Sequence, residues 1–268
     1  MDETTYSEVT TMPQTTRSAN RLRADTPLPK MVDRASFQAE LDALRTREKA
    51  HTREGDAIAA SRRRLPGVTV DPNTPLIGAN GPVTLLDAFE GRRLLIAYYF
   101  MWNTGRPASE QCPGCIWCIS QVGELSYLHS RDITFAVLCQ GSYDQSARYR
   151  EFMDWHMPWY SAEESLDTLL KGRQIGVMHL VCYVRDGDRV YETYWTNYRG
   201  VEVMDYSLTL ADLTVYGRQQ TWEDSPVGWP VDDDLDQVNR RPPPHWSRLE
   251  AGRSDDLGVA HRSAASPS

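Results

Sequence analysis

The sequence predicts an α/β fold in which a mixed β-sheet is flanked by helices. The apolar run LLIAYYFM, residues 94–101, and the run DITFAVLCQ, residues 132–140, have the composition of buried strands, and each precedes a helical pattern. Farther along, HLVCYVRDGDRVYETYWT alternates around Asp186-Gly187, a dipeptide that favours a tight hairpin turn. Strand–helix units followed by an antiparallel hairpin predict a mixed sheet with helices on its faces.

Composition divides the chain into four regions. Residues 1–30 are polar without apolar periodicity, which predicts a disordered arm. Residues 31–66 predict an N-terminal helical extension, capped by Asp33 or Ser36, that is solvated or clasps a partner subunit. The sheet domain is assigned to residues 67–217. Residues 218–268, rich in proline and aspartate, predict an extended tail that lies on the domain through Trp222, Trp229 and Trp246 and is disordered after about residue 250.

Charge and apolar patterning exclude several classes of function. The 268-residue chain carries a net charge of −8, which argues against a nucleic-acid or anionic-membrane surface. Its first residues lack the basic start and apolar run of a secretory signal, and its longest apolar run is far below the roughly 20 residues that span a bilayer. Five cysteines, an odd number with three of them clustered within seven positions, do not suggest a secreted disulfide framework. We therefore expect a cytoplasmic protein that acts on a small-molecule or protein substrate.

The segment EQCPGCIWCIS, residues 110–120, contains the spacing C-x-x-C twice through a shared cysteine. Cys112 is expected at the start of a helix that ends near Arg131, where the helix dipole favours a thiolate, so it is the predicted attacking thiol. Pro113 suits the first helical position, and Cys115 lies one turn farther on as the resolving thiol. Cys118 is a core residue, a second resolving thiol or a metal ligand, and the strand cysteines Cys139 and Cys182 are expected in the core.

Several segments together resemble the bacterial family DUF899, whose members are thioredoxin-like and related to alkyl hydroperoxide reductases and peroxiredoxins. They are GPVTLLDAFEGRRLLIAYYFMW, CPGC, RDITFAVL, VRDGDRVYETYWTNYRGVE and LTLADLTVYGRQQTWEDSPVGWP. The resemblance covers residues from about 35 to about 230. It implies a thioredoxin-like fold but no particular reaction, because the family has no established common activity.

The sequence departs from the pattern of thioredoxin-like catalysts at two positions. Where these proteins place a cis-proline before the final hairpin, the offset from Asp186-Gly187 leads to His179. The resemblance implies that this proline discourages metal binding, so His179 becomes a candidate metal ligand. The buried carboxylate that thioredoxins carry in the strand before the motif is absent, and Tyr98 and Tyr99 are poor bases at neutral pH. Fast general disulfide reduction is therefore disfavoured.

The peroxiredoxin pattern is only partly present. Ser109 precedes Cys112 by the expected three residues, but Gly105 occupies the position of the required proline. Peroxidase activity is accordingly a weaker hypothesis than dithiol chemistry.

The leading hypothesis is a thiol–disulfide oxidoreductase that acts on a specific thiol or disulfide substrate through Cys112 and Cys115 and requires no cofactor. The candidate substrate-binding residues are Trp102, Arg106, Pro113, Trp117 and Tyr143. The first alternative is a copper, zinc or iron–sulfur site, or a specialised biosynthetic enzyme, with Cys112, Cys115, Cys118 and His179 as ligands. A second alternative is a non-catalytic scaffold. We expect a homodimer.

Overall fold

The computed structural model describes residues 22–232 and 237–258. Its strands form one eight-stranded sheet: β1 (Val68–Val70), β2 (Pro75–Gly78), β3 (Gly81–Thr84), β4 (Leu94–Phe100), β5 (Ile133–Cys139), β6 (Trp159–Ser161), β7 (His179–Asp186) and β8 (Arg189–Asn197). Its α-helices are α1 (Arg34–Arg62), α2 (Pro113–Ser120), α3 (Ser126–His129), α4 (Tyr143–Met153), α5 (Leu166–Leu169), α6 (Tyr206–Asp212) and α7 (Pro243–Glu250).

The strand order of the sheet is β1-β8-β7-β4-β5-β6-β2-β3. The central strand β4 pairs in parallel with β5 and antiparallel with β7, and β7 forms the predicted hairpin with β8. A parallel β4–α2–β5 unit followed by an antiparallel hairpin, in the order β5-β4-β7-β8, is the thioredoxin-like arrangement. Strands β1, β2, β3 and β6 extend this core on both sides, so the predicted fold class is confirmed.

The alternation of side chains in β4 separates two cores. Tyr98 and Phe100 lie in the core that also holds the cysteines of α2, whereas Ala97 and Tyr99 lie in the core on the opposite face of the sheet. In that second core the hydroxyls of Tyr99 and Tyr183 share a hydrogen bond of 2.7 Å. The sheet is thus buried on both faces at β4, as the apolar run predicts.

Helix α1 begins at the predicted cap. The carboxylate of Asp33 accepts a hydrogen bond of 2.9 Å from the backbone N–H of Ser36, an interaction that contributes about 1 kcal/mol at a helix start. At the other end, the Arg62 guanidinium stacks over the Tyr194 ring at 5.1 Å. Between these points the helix contains no buried residue.

The predicted continuous helix from the cysteine motif to Arg131 is wrong. Helix α2 ends at Ser120 and α3 covers only Ser126–His129. The break contains Gly123, which costs a helix about 1 kcal/mol relative to alanine, and the Gln121 side chain donates to the carbonyl of Trp117 over 3.1 Å at the end of α2. The cysteines therefore lie on a helix of only two turns.

The described part of the C-terminal tail packs on the domain through a helix as well as through side chains. It contains helix α7, and its buried residues are Pro242, His245 and Leu257, whereas Trp222 is 54% exposed and Trp229 and Trp246 are half-buried. Burial thus continues beyond residue 250, where disorder is predicted. Residues 1–21 of the predicted arm and residues 259–268 of the tail lie outside the described residues.

Candidate active site

The loop after β4 brings the first cysteine to the start of α2. Cys112 is the residue that caps α2, and its Sγ accepts a hydrogen bond of 3.3 Å from the backbone N–H of Cys115. Pro113 occupies the first turn, where its missing N–H costs nothing. Unsatisfied N–H groups at a helix start favour a negative sulfur. The local geometry that the motif predicts is therefore formed.

Cys115 lies behind Cys112, away from solvent. It is fully buried, whereas Cys112 retains 8% of its surface. The backbone N–H of Met101 donates to Cys115 Sγ over 3.4 Å, and the Cys112 thiol donates to Met101 Sδ over 3.5 Å. Burial, and next the neighbouring Cys112 thiol, raise the pKa of Cys115 well above its usual value. Cys115 is thus a protonated thiol held next to Cys112.

The third cysteine of the motif contacts a buried carboxylate. The thiol of Cys118 donates to Asp205 Oδ2 over 3.4 Å, and the buried Oδ1 of Asp205 has no hydrogen-bond partner among the described residues. Burial, and next the adjacent Asp205, raise the pKa of Cys118, while burial raises the pKa of Asp205 to about 6. Cys118 is therefore a core residue whose thiol is also hydrogen-bonded to a buried carboxylate.

Tyr98 connects the thiols of α2. Its side chain is fully buried, and its pKa is raised by burial and by the three surrounding cysteines of the motif, Cys115 first. The hydroxyl has no well-formed hydrogen bond to a nitrogen or oxygen atom within the described residues. The motif cysteines, Tyr98 and Asp205 consequently form one buried cluster.

Asp205 is held against α2 by its neighbours in sequence. The Trp117 indole N–H donates to Ser207 Oγ over 2.9 Å, and the Ser207 backbone N–H donates to the Gln121 side chain over 2.7 Å. These bonds tie the start of α6 to the outer side of α2. Sequence reasoning missed Asp205, and nothing in its surrounding sequence, VEVMDYSL, marks it as part of a cysteine site.

His179 does not join the cysteines, contrary to the prediction that it is a fourth ligand. It pairs with Tyr99 in the β4–β7 register and shares the face of Val181 and Tyr183, which belong to the opposite core. Its Nε2 lies 2.9 Å from the Gln174 carbonyl, and burial lowers its pKa. Because strand side chains alternate, the prediction is wrong by one residue.

Met178 is the residue that approaches the motif instead. Its Cε lies 3.6 Å from the point where a Cβ on Gly114 would be, and it packs against the core that contains the cysteines. Two thioethers, those of Met101 and Met178, thus border the dithiol. Among residues 22–232 and 237–258, no three His, Cys, Asp or Glu side chains are grouped as a metal site.

The five predicted substrate-binding residues occupy different surroundings. Pro113 and Trp117 line an apolar cavity of about 190 Å³ between α2 and the segment Pro242–Pro244. Trp102 is packed in the core, where its indole N–H donates to Gln145 over 3.4 Å. Arg106 is exposed and pairs with Glu110 at 3.1 Å, and Tyr143 packs at the edge of the core. The structure brings only Pro113 and Trp117 together.

The C-terminal tail closes the core beside this cavity. His245 of α7 is fully buried, and its Nε2 shares a hydrogen bond of 2.7 Å with the Tyr149 hydroxyl. Tyr149 lies near enough to the motif that Cys112 and Cys115 add to the effect of burial in raising its pKa. The tail therefore contributes to the surroundings of the dithiol.

The strand order and the dithiol at the start of α2 define a thioredoxin-like protein. The model of the family described as "Bacterial protein of unknown function (DUF899)" matches residues 26–236, so the chain belongs to that family. No match was found among the curated proteins. Within the described residues, every helix is too short or too polar to cross a bilayer.

Two solved structures are similar over about half of the chain. Peroxiredoxin Q from Xanthomonas campestris, a cysteine-to-serine mutant, is 12% identical with a TM-score of 0.38, and the match covers 55% of this chain and 97% of that one. Thioredoxin from Wuchereria bancrofti is 16% identical with a TM-score of 0.34, covering 54% and 96%. The fold assignment rests on the strand order of the sheet.

Proposed function

We propose that the protein is a thiol–disulfide oxidoreductase in which Cys112 attacks and Cys115 resolves. The observation that carries this proposal is the asymmetry of the two thiols. Cys112 lies at the helix start, accepts the Cys115 N–H and keeps some surface, whereas Cys115 is fully buried behind it. An attacking thiolate needs stabilisation and access, and a resolving thiol needs only proximity to it.

The proposed reaction oxidises the dithiol and reduces a substrate disulfide. The Cys112 thiolate attacks one substrate sulfur and forms a mixed disulfide, and the other substrate sulfur leaves as a thiolate that takes up a proton. Cys115 then gives up its proton and attacks Cys112 Sγ, which releases the second substrate thiol and closes the Cys112–Cys115 disulfide. An external thiol reductant restores the dithiol. No cofactor takes part.

Asp205 and Cys118 are proposed to tune this dithiol. A carboxylate whose pKa is about 6 carries a mixture of charge states near neutral pH, and it contacts the thiol one turn beyond Cys115. A negative charge there opposes formation of a second negative charge on the buried thiols.

The apolar cavity next to Pro113 is proposed to receive the substrate. It is bordered by Ile116, Trp117 and the three prolines Pro242–Pro244, so it suits an apolar portion of a small-molecule or protein disulfide. Arg106, held by Glu110, is not needed in this proposal.

The test is an anaerobic titration of the full chain in glutathione buffers, with each species identified by mass spectrometry and peptide mapping. The expected result is one reversible disulfide between Cys112 and Cys115. Cys115→Ser should accumulate a glutathione adduct on Cys112, Cys112→Ser should form neither species, and Cys118→Ser should retain the disulfide as the matched control. Absence of the Cys112–Cys115 disulfide at every buffer ratio would refute the proposal.

A second candidate function is binding of Cu(I). The favouring observation is the Cys112 thiol at 3.5 Å from Met101 Sδ, with Cys115 and Met178 close by, because soft thiolate and thioether ligands select Cu(I). Anaerobic titration with Cu(I) and a competing chelator would measure this affinity. Equal affinity in the wild type and in Met101→Leu would rule out the thioether as a ligand.

A further inference from the structure

Helix α1 presents a long surface that its own domain leaves uncovered. Every residue from Asp42 to Ile58 is exposed. Phe37 and Leu44 each expose 47% of their surface, and Ile58 exposes 43%. Most helices in proteins depend on packing of an apolar face rather than on propensity. Among residues 22–232 and 237–258, nothing buries these exposed apolar side chains of α1.

The residues on this face are spaced like the seam of a coiled coil. Alternating steps of four and three residues separate the members of the seam, as in a heptad repeat whose a and d positions face a partner helix. They are Phe37, Leu41, Leu44, Glu48, His51, Gly55, Ile58 and Arg62. The order of these steps is the same from either end of the helix. The seam residues of two antiparallel copies of α1 can therefore lie opposite each other along the whole seam.

We propose that α1 pairs antiparallel with α1 of a second copy of this chain. If the two-fold axis of the dimer passes midway between Glu48 and His51, Leu41 lies opposite the partner's Ile58 and Leu44 lies opposite the partner's Gly55. Each contact occurs twice by the two-fold symmetry of such a dimer. The helix of 29 residues is about 43 Å long, enough for four such layers on each side of the axis.

Gly55 supports this pairing. A glycine in a helix interior costs about 1 kcal/mol relative to alanine. A Cβ at Gly55 would meet no atom within 4 Å, so the described part of the chain offers no packing reason for it. In the antiparallel pair it leaves room for the larger Leu44 of the second copy.

The charges of the helix favour the antiparallel direction. Reversal sets Glu48 opposite the partner's His51 and, at the flanking positions, Arg47 near the partner's Glu54. No ion pair links Arg47 or Glu54 to another side chain among the described residues, so both are available. A parallel pair would instead set Glu48 against Glu48, which like-charge repulsion disfavours.

The pairing is independent of the dithiol, so the two proposals can fail separately. The polar centre of the seam limits its apolar core to two kinds of layer, Leu41 with Ile58 and Leu44 with Gly55, which predicts a reversible dimer whose population rises with protein concentration. A Cys112→Ser variant should dimerise like the wild type.

Sedimentation velocity of the full chain over a range of concentrations tests the pairing. Glu54→Arg places an arginine against the partner's Arg47 and should raise the dissociation constant about tenfold or more, because two ion pairs become repulsive. Adding Arg47→Glu to that variant should restore dimerisation. Asp56→Arg, the same change of charge on the outward side of the helix, is the matched control and should leave the dissociation constant within about twofold of the wild type.

Several outcomes would overturn the proposal. They are a wild type that stays monomeric at every concentration, a dimer that Glu54→Arg leaves unchanged, equal weakening by Asp56→Arg, and failure of the double variant to recover. Circular dichroism of each variant would show that α1 remains helical, since none of the three positions is buried.

Discussion

The thiol of Cys118, one turn beyond Cys115 in α2, donates a hydrogen bond to Asp205 Oδ2 over 3.4 Å, and both side chains are buried. In the part of the chain that the structure describes, the other oxygen of the carboxylate has no hydrogen-bond partner, and burial raises the pKa of Asp205 to about 6. A carboxylate in this state destabilises the folded chain when it is charged. Its position next to the motif cysteines is consistent with a functional reason for retaining it.

Asp205→Asn should therefore change how stability depends on pH. The folded pKa of Asp205 is raised above its unfolded value, so its favourable contribution is present below about pH 4 and is lost as the pH rises through about 6. The asparagine variant lacks this loss. Between pH 4 and pH 7, the unfolding free energy of the wild type should therefore fall relative to that of Asp205→Asn, by up to about 3 kcal/mol.

Urea denaturation at several pH values in that range provides the measurement. Asp188→Asn, which changes an exposed carboxylate in the hairpin turn, is the control and should give a nearly constant difference. A flat difference for Asp205→Asn as well would show that this carboxylate titrates normally.

Alkylation should distinguish the five cysteines in the native state. Cys112 lies at a helix start and keeps surface, so it should react first with iodoacetamide. Cys182 is only partly buried, but burial raises its pKa to about 11, so its thiolate is scarce and it should react more slowly. Cys139 is fully buried with a pKa raised to about 12 and should be protected. Peptide mapping over time gives the order, and labelling of Cys139 before Cys112 would contradict the assignment of the attacking thiol.

The sequence predicts the local features of the site better than its long-range contacts. The positions of Cys112 and Pro113 follow from helix-start chemistry within a few residues, and the structure confirms them. Asp205 reaches Cys118 across 87 positions of the chain, and no spacing rule connects them. The error at His179 has a simple cause, because an offset wrong by one residue in a strand moves the side chain to the other face.

Gly141→Ala should destabilise the fold strongly. A Cβ at Gly141 would overlap the ring and Cβ of Trp102, which packs against Tyr149 of α4 in the core that holds the cysteines. Overpacking of this kind costs about 1–3 kcal/mol, and the rigid indole has little room to move. Thermal and urea unfolding would measure the loss.

Gly123→Ala is the matched control for that substitution. A Cβ at Gly123 would meet no atom within 4 Å, and its backbone does not require a positive φ. Its stability should match or slightly exceed that of the wild type. Equal losses at the two glycines would mean that Trp102 does not occupy the space above Gly141.

The tail helix α7 should detach as the pH falls. His245 is neutral and buried against Tyr149, and burial lowers its pKa to about 3. The stability that it contributes is present above its unfolded pKa of about 6.5 and declines as the pH falls below that value, because the detached tail binds a proton that the packed tail excludes. Local detachment of α7 relieves this cost before the whole domain unfolds.

Hydrogen exchange of residues 243–250 measures this detachment when the wild type and His245→Gln are compared at the same pH. Glutamine can still bond to the Tyr149 hydroxyl but does not titrate, so its protection should change little between pH 7 and pH 5, while that of the wild type falls about tenfold or more. Because Tyr149 lies near Cys112 and Cys115, loss of the packed tail should also speed alkylation of Cys115 in the wild type at pH 5 relative to His245→Gln. Equal protection and equal alkylation in the two proteins at pH 5 would show that His245 does not hold the tail over the dithiol.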